Sequence, residues 1–388
     1  MKRFVYADNA ATTPVACEVV EAMTEFFTDK WGNPSSLYSK GSEAKEALEE
    51  ARAKIASLLG CDAPEIFFTS CGSESDNWAI KGVAYANEKK GRHIVCSAYE
   101  HHAVVNTMKY LTKQGFEVSY VQPTKEGYIT PEAVEKEIKD DTTLVCVMFA
   151  NNEIGTVNDV KELARVAHKH GAIFFTDGVQ ATGHIPFDLK DLDVDLLSFS
   201  GHKFNAPKGV GGLYIKKGTK IDTFLHGGGQ EKRKRGGTEN LPYIIGMARA
   251  LELAHENFKD NDRITAMRNR LVEGISKIPY SIINGSMDNH LPGTVNAAFE
   301  FIEGESLMLL LDLEGICVST GSACSSDSLQ PSHVLLSIGL PVEKAHGSLR
   351  FSLSHLNTDE DVDYILEVLP KVVKKLRMMS PLYDGSKM

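Results

Sequence analysis

The sequence predicts an α/β protein, with a mostly parallel sheet covered by helices on both faces and a smaller α+β unit after it. Three observations carry this expectation. Short apolar segments recur between about residues 42 and 258, as "EIFFT", "HIVCSA", "FEVSYVQ", "TLVCVMFA", "AIFFTD" and "LLSFS". Helical stretches such as "DVKELARVAHKHG" lie between several of them. Strands apolar on both faces that alternate with helices form parallel sheets buried on both sides. After residue 258 the texture changes, with neither repeats nor a low-complexity linker. We expect an N-terminal arm (1–15) against the small domain, a large domain (16–257) and a small domain (258–388), packed together rather than tethered.

The elements follow in order. "SEAKEALEEARAKIASLLG" places Ala44, Ala47, Leu48, Ala51, Ile55, Leu58 and Leu59 on one stripe, a helix stopped by Gly60. "EIFFT" is a strand and "ESDNWAIKGVAYANEKKG" a helix. In the C-terminal part a long helix ("NDRITAMRNRLVEGISKI") precedes strand-like pieces ("YSIING", "TVNAAFEF", "GSLRFSLS"). The closing helix, "TDEDVDYILEVLPKVVKKLRMM", is acidic at its start and basic at its end, as the helix dipole favours.

Composition narrows the function. The 388 residues are 42% hydrophobic and 24% charged, ordinary for a globular protein of two domains. A net charge of −10 disfavours nucleic acid as a partner. No apolar run has the length of a membrane span, and "MKRFVYADNAATTP" lacks the apolar core of a secretion signal. The seven cysteines are scattered, with no C-x-x-C pair and no zinc-like spacing, so reduced thiols and a cytoplasmic location are expected. The exception to the acidic balance is "EKRKRGGTEN", residues 231–240, which taken alone reads equally well as a solvated charged face.

In open α/β sheets the ligand sits beyond the carboxyl ends of the strands. After "EIFFT" come Ser70, Gly72 and Ser73, small residues opening a helix. They suit an anion cradle, although ordinary helix caps use the same residues. After "AIFFT" comes Asp177, a cap, a metal ligand or a partner for a cation. After "LLSFS" come Ser200, His202 and Lys203. A lysine there is either a surface residue beside a glycine-rich loop or an amine placed to form an imine with an aldehyde. Together, a cradle, a strand-end Asp and a strand-end Ser-x-His-Lys make the set that pyridoxal 5′-phosphate needs. Lysine holds the aldehyde, Asp keeps the pyridine nitrogen protonated and the cradle takes the phosphate. Gln180 and Asn152 can reach the ring oxygen, and His101 can stack on the ring while moving protons.

With these residues assembled, the chain resembles the cysteine desulfurases of the NifS/IscS kind, in the aminotransferase class-V family of fold-type-I pyridoxal phosphate enzymes. The resemblance spans nearly the whole chain in family order. It is carried by "YADNAATTP", "GNPSSLYSKG", "FFTSCGSESDNWAIKG", "EHHAVV", "NNEIGTV", "TDGVQATG", "SFSGHKFNAPKGVGGLY", "HGGGQEKRKRGGTEN" and "STGSACSS". It implies a fold-type-I transferase with a mostly parallel seven-stranded sheet. It implies that Lys203 carries the coenzyme as a Schiff base, that Asp177 meets the pyridinium, and that Gln180 bonds the phenolate oxygen. His101 would be the stacked acid/base, and Gly72, Ser73, Ser200 and His202 would hold the phosphate. Thr238 would serve the phosphate of a neighbouring subunit in a homodimer, which gives the basic run an interface role. Arg350, with Asn152 helping, would grip the substrate carboxylate.

The resemblance also implies the reaction: L-cysteine gives L-alanine, and its sulfur passes to Cys324 as a persulfide and then to an iron–sulfur scaffold protein. No resident metal is required, though the Cys324 persulfide is a candidate transient ligand of an iron–sulfur cluster. Cys324 stands in "STGSACSSDS" (319–328), where six of ten residues are Ser or Gly. That composition suits a polar tether, in a loop of about 319–331, for a thiol that must visit the coenzyme and then carry sulfur away. Two departures stand out: Gly72-Ser73 where many members have Ala-Thr, and a short C-terminus, "MMSPLYDGSKM", where the family's longer tail meets its scaffold. Cys71 reads as structural. The alternatives are a selenocysteine lyase or another class-V enzyme of small amino acids, and a non-catalytic scaffold that kept the fold.

Overall fold

A computed structural model describes residues 2–320 and 331–384. Its centre is a seven-stranded sheet of β2 (Ile66–Thr69), β3 (His93–Ser97), β4 (Glu117–Val121), β5 (Thr142–Cys146), β6 (Ile173–Asp177), β7 (Leu196–Ser200) and β8 (Gly211–Ile215), in the order β2-β8-β7-β6-β5-β3-β4. β4, β3, β5, β6 and β7 pair in parallel, whereas β8 is antiparallel to both its neighbours. β2 therefore runs in the same direction as β7, and the carboxyl ends of β2, β3, β5, β6 and β7 share one edge.

Two strands depart from the pattern expected of them. β8 opens with Gly211-Gly212, which read as loop in the sequence. A Cβ on Gly212 would lie 2.1 Å from the Phe199 ring, so the glycine is what lets β8 pass beside β7. β4 is the sheet edge, and its face is half open, with Glu117 and Tyr120 exposed and Val121 buried. Its mostly open side chains are those of an edge strand that the neighbouring elements cover only in part.

The flanking helices bury the stripes expected of them. In the helix Ser39–Leu59, Ala44, Leu48, Ala51, Ile55 and Leu59 are buried, and Gly60 closes it at φ 72°. The helix Gly72–Ala86 packs Trp78, Ile80 and Val83 into the apolar layer on one face of the sheet.

A second apolar cluster surrounds the antiparallel sheet β12-β10-β9, made of β9 (Ser281–Asn284), β10 (Thr294–Phe299) and β12 (Ser348–Ser352). Against it lie the helix Asn261–Ser276, through Met267 and Leu271, and the helix Asp359–Met379, through Ile365 and Leu369. The last helix starts on a capping box formed by Thr358 and Asp361. β1 (Val5–Tyr6) pairs in parallel with β11 (Ile316–Cys317), which puts Val5 and Ala7 into this cluster. From there the arm runs to the sheet edge: Ser352 N–H donates to the Ala7 carbonyl at 2.7 Å, and Thr13 N–H to the His202 carbonyl at 3.0 Å. Residues 334, 335, 338 and 345 pack on the larger cluster instead, so the chain returns to the sheet side after residue 331. Among the described residues no helix is long and apolar enough to cross a membrane.

Candidate active site

At the carboxyl edge of the sheet, between the sheet and the arm, lies a cavity of about 300 Å³. Of the twelve residues expected at the site it gathers ten, the exceptions being Thr238, which is exposed and does not line it, and Cys324, which lies outside the described residues.

One end of the cavity is the start of the helix Gly72–Ala86. Its N-cap, Cys71, makes no side-chain capping bond, so the first-turn N–H groups are left to other acceptors. Ser73 and Ser200 line the same end. A Cβ on Gly72 would lie 2.8 Å from Val179 Cγ2 and 3.9 Å from Ser200 Oγ, so glycine keeps the space open. His202 Nδ1 is 3.1 Å from Thr12 Oγ1, and its pKa falls to about 4, through burial and then the nearby Lys203 and Lys208 charges. Neutral imidazole, hydroxyls and a helix start together form an anion site.

The middle of the cavity is acidic below and cationic beside. Asp177 closes β6, is buried, and accepts from Val179 N–H at 2.9 Å. Burial lifts its pKa to about 6, against the opposing pull of that bond and of Lys203. Lys203, just past β7, rests its ammonium on the carbonyls of Ala10 (2.8 Å) and Ala11 (2.9 Å) in the arm. Gln180 Nε2 donates to the same Ala10 carbonyl at 3.1 Å. His101 caps the helix His102–Lys113, its Nδ1 accepting from Ala103 N–H at 3.1 Å. Burial, then the Lys203 charge, lowers its pKa to about 4, so the ring is neutral with its hydrogen on Nε2.

Arg350, on β12, forms the far wall. Its Nη1 donates to the Asn152 carbonyl at 2.7 Å and its Nη2 to Asp8 Oδ1 at 2.8 Å. Its Nε is buried and has no hydrogen-bond partner among the described residues. A guanidinium has five N–H donors, so Nε–H and one hydrogen on each Nη remain unspent. Nε–H and the Nη2 hydrogen are spaced to meet a carboxylate side-on.

Sequence reasoning missed three buried carboxyls. Asp76 lies within reach of Asp177, and burial together with Asp177 pushes its pKa well up. Glu100 accepts from Ser97 Oγ and from Met148 N–H (2.7 Å), and burial raises its pKa to about 8. Glu153 accepts from Ser332 Oγ, and burial raises its pKa to about 7. For Asp76 a signal existed: it stands one helical turn after Gly72, on the face turned to the cavity.

The donor set fits pyridoxal phosphate. The open helix start suits the phosphate, a strand-end lysine suits the aldehyde, and a pyridinium would repay the cost of burying Asp177. The fold is that of fold-type-I pyridoxal phosphate enzymes, and the comparisons agree. The family model described as aminotransferase class-V matches residues 5–365, and the chain belongs to that family. It is 54% identical to the cysteine desulfurase IscS of Methanosarcina thermophila over 379 residues, covering 97% of this chain and 94% of that one. It is 53% identical to a cysteine desulfurase IscS of Clostridium botulinum (strain Hall), covering 99% of this chain and 98% of that one. A solved NifS-like protein superposes with a TM-score of 0.91 at 42% identity, over 97% of this chain and all of that one.

Proposed function

We propose that the protein is a cysteine desulfurase: L-cysteine and the thiol of Cys324 react to give L-alanine and a Cys324 persulfide, and the sulfur passes to an acceptor for iron–sulfur assembly. The observation that carries the reading is the buried, unpartnered Nε of Arg350 in the same cavity as Lys203. It supports a small α-amino acid as substrate, its carboxylate on Arg350 and its amino group toward Lys203.

Pyridoxal phosphate, held by Lys203 at its aldehyde, Asp177 at its ring nitrogen, Gln180 at its ring oxygen and Gly72, Ser73, Ser200 and His202 at its phosphate, supplies an electron sink that makes the substrate α-proton acidic. The chain's own groups do the remaining work. Arg350 would fix the substrate carboxylate and so orient the Cα–H bond. The Lys203 amine, once free, would be a base able to take that proton. Neutral His101 would face the coenzyme and donate from Nε2, and it can accept at Nδ1 only by giving up the Ala103 bond. The arm carbonyls of Ala10 and Ala11 shut the back of the cavity against water.

Cys324 receives the sulfur. The backbones of Ser319 and Arg350 pair through bonds of 3.2 and 2.7 Å, and Ser332 is bonded to Glu153, so both neighbours of the segment 321–330 are tied at the cavity wall. Thr320 is four residues from Cys324, a tether of at most about 14 Å. We infer a homodimer in which exposed Thr238 serves the partner's coenzyme phosphate. Arg235, bound to Glu74 at 2.8 Å, holds the basic run beside the helix start. We place the protein in the cytoplasm, with an iron–sulfur scaffold as acceptor.

Incubation with L-cysteine, followed by mass spectrometry of the peptide bearing Cys324, tests the reading. Added sulfur on Cys324 with free alanine in solution is the expected result. Unmodified peptide alongside full alanine release, or selenocysteine turnover that persists in Cys324→Ala without any cysteine turnover in the parent, would overturn it.

A further inference from the structure

Beneath the coenzyme-facing carboxylate lies a second carboxyl that no step above uses. Asp76 and Asp177 are 1% and 5% exposed, and with His101 they offer three ligand-type atoms within 4.8 Å of one another. Between the two carboxyls stands Ser198. It is the register partner of Asp177 on the adjacent parallel strand, so both side chains leave the same face of the sheet. Its Oγ lies 2.6 Å from Asp76 Oδ1, and it is fully buried. The set therefore runs from helix to strand to strand: Asp76, Ser198, Asp177.

Two ionised carboxylates cannot both persist in so dry a volume, and such pairs settle by one member keeping a proton. The groups around them decide which. Burial and then Asp177, with Glu100 from beyond β3 and Cys71 from the start of its own helix, raise the hold of Asp76 on a proton, against the bond with Ser198. Burial raises that of Asp177 too, but the Val179 N–H, Lys203 and the Ser198 hydroxyl all favour its anion. A hydroxyl can accept from one neighbour while donating to another.

We propose that Asp76 is a positioning residue for the coenzyme: uncharged, it donates to Ser198 Oγ, whose hydrogen is thereby aimed at Asp177, leaving the single negative charge of the set on the carboxylate that meets the ring nitrogen. The inference rests on the pyridoxal phosphate reading above. Asp76 lines the cavity, and in this reading it acts on the ring only through Ser198. Asn at 76 can still donate to the serine, whereas Leu of similar size cannot.

The test titrates apoprotein with pyridoxal phosphate between about pH 5 and 9, reading absorbance, alongside thermal unfolding of each apo variant. Asp76→Asn should bind within about threefold of the parent. Asp76→Leu and Ser198→Ala should each bind roughly tenfold or more weakly, the loss expected for one hydrogen bond to a charged group. In both, the acid limb of affinity should move up by about one pH unit, because Asp177 loses the donor itself in Ser198→Ala and the group that aims it in Asp76→Leu. A purely packing role for Asp76 would leave that limb in place. Should Asp76→Leu unfold early, Ser198→Ala carries the test. Parental affinity and acid limb in Ser198→Ala, or an Asp76→Asn protein as weak as the leucine variant, would overturn the relay. A parent protein that takes up no pyridoxal phosphate would instead overturn the coenzyme reading.

Discussion

Arg350 is tied to Asp8, 342 positions earlier in the chain, by an Nη2–Oδ1 bond of 2.8 Å between side chains only 4% and 18% exposed. The pair fixes the guanidinium in the cavity wall with Nε turned to an open acceptor position. Arg350→Lys keeps the charge and loses the planar fork. It should lower kcat/KM for L-cysteine by about 100-fold, mostly through KM, the cost of one or two charge-assisted bonds. Asp8→Asn keeps an acceptor and should cost roughly tenfold or less. Steady-state kinetics on both variants check this, and an unchanged KM in Arg350→Lys would remove Arg350 from the substrate.

Gly72→Ala places a methyl 2.8 Å from Val179 Cγ2 at the mouth of the anion site. The coenzyme should bind about tenfold more weakly, since crowding of this kind typically costs 1–3 kcal/mol. Apoprotein titration measures it, with thermal unfolding as the control for general damage. Full affinity would move the phosphate away from this helix start.

Cys324→Ser should leave the chain able to take up coenzyme and to change its visible spectrum on adding L-cysteine, because none of the cavity groups is touched. Alanine release should stop, and no peptide should gain sulfur. Alanine release at the parent rate would show that another acceptor suffices.

Glu100 is buried with its pKa raised to about 8, against an ordinary value near 4.5. An acid whose folded pKa is raised supports the fold fully below its unfolded pKa and loses that support as pH climbs through the folded one. Stability of the apoprotein should therefore fall between about pH 5 and 8 by roughly 1 kcal/mol per pH unit on account of this group. Glu100→Gln keeps an acceptor for Ser97 and Met148, and has no proton to lose. Denaturant unfolding should find the variant close to the parent at about pH 5 and more stable at about pH 8. Parallel pH profiles for the two proteins would show Glu100 already ionised.

The sheet was legible because β3, β5, β6 and β7 are largely apolar runs between helices, a pattern with few other solutions. Lys203 and Asp177 were legible for a related reason, being polar residues set immediately after such runs. β8 was not, since Gly211 and Gly212 read as loop until the ring of Phe199 explains why no side chain fits. Asp76, Glu100 and Glu153 were not either. A carboxyl in a helix or loop ordinarily faces water, and only packing across several elements, as Ser198, Met148 and Ser332 provide, shows these three enclosed. The arm was expected to lie against the small domain, but not to reach the site. That its carbonyls hold Lys203 depends on pairing across the length of the chain.

That pairing constrains how the molecule is made. Residues 5–11 leave the ribosome long before their partners at 316–317 and 350–352. Until those emerge the arm has nowhere to dock, and the back wall behind the Lys203 amine is missing. A nascent or truncated polypeptide thus cannot enclose its reactive centre, and contacts of such long sequence separation are slow to form. Competence arrives late in biosynthesis, after the strands of the main sheet have already been synthesised.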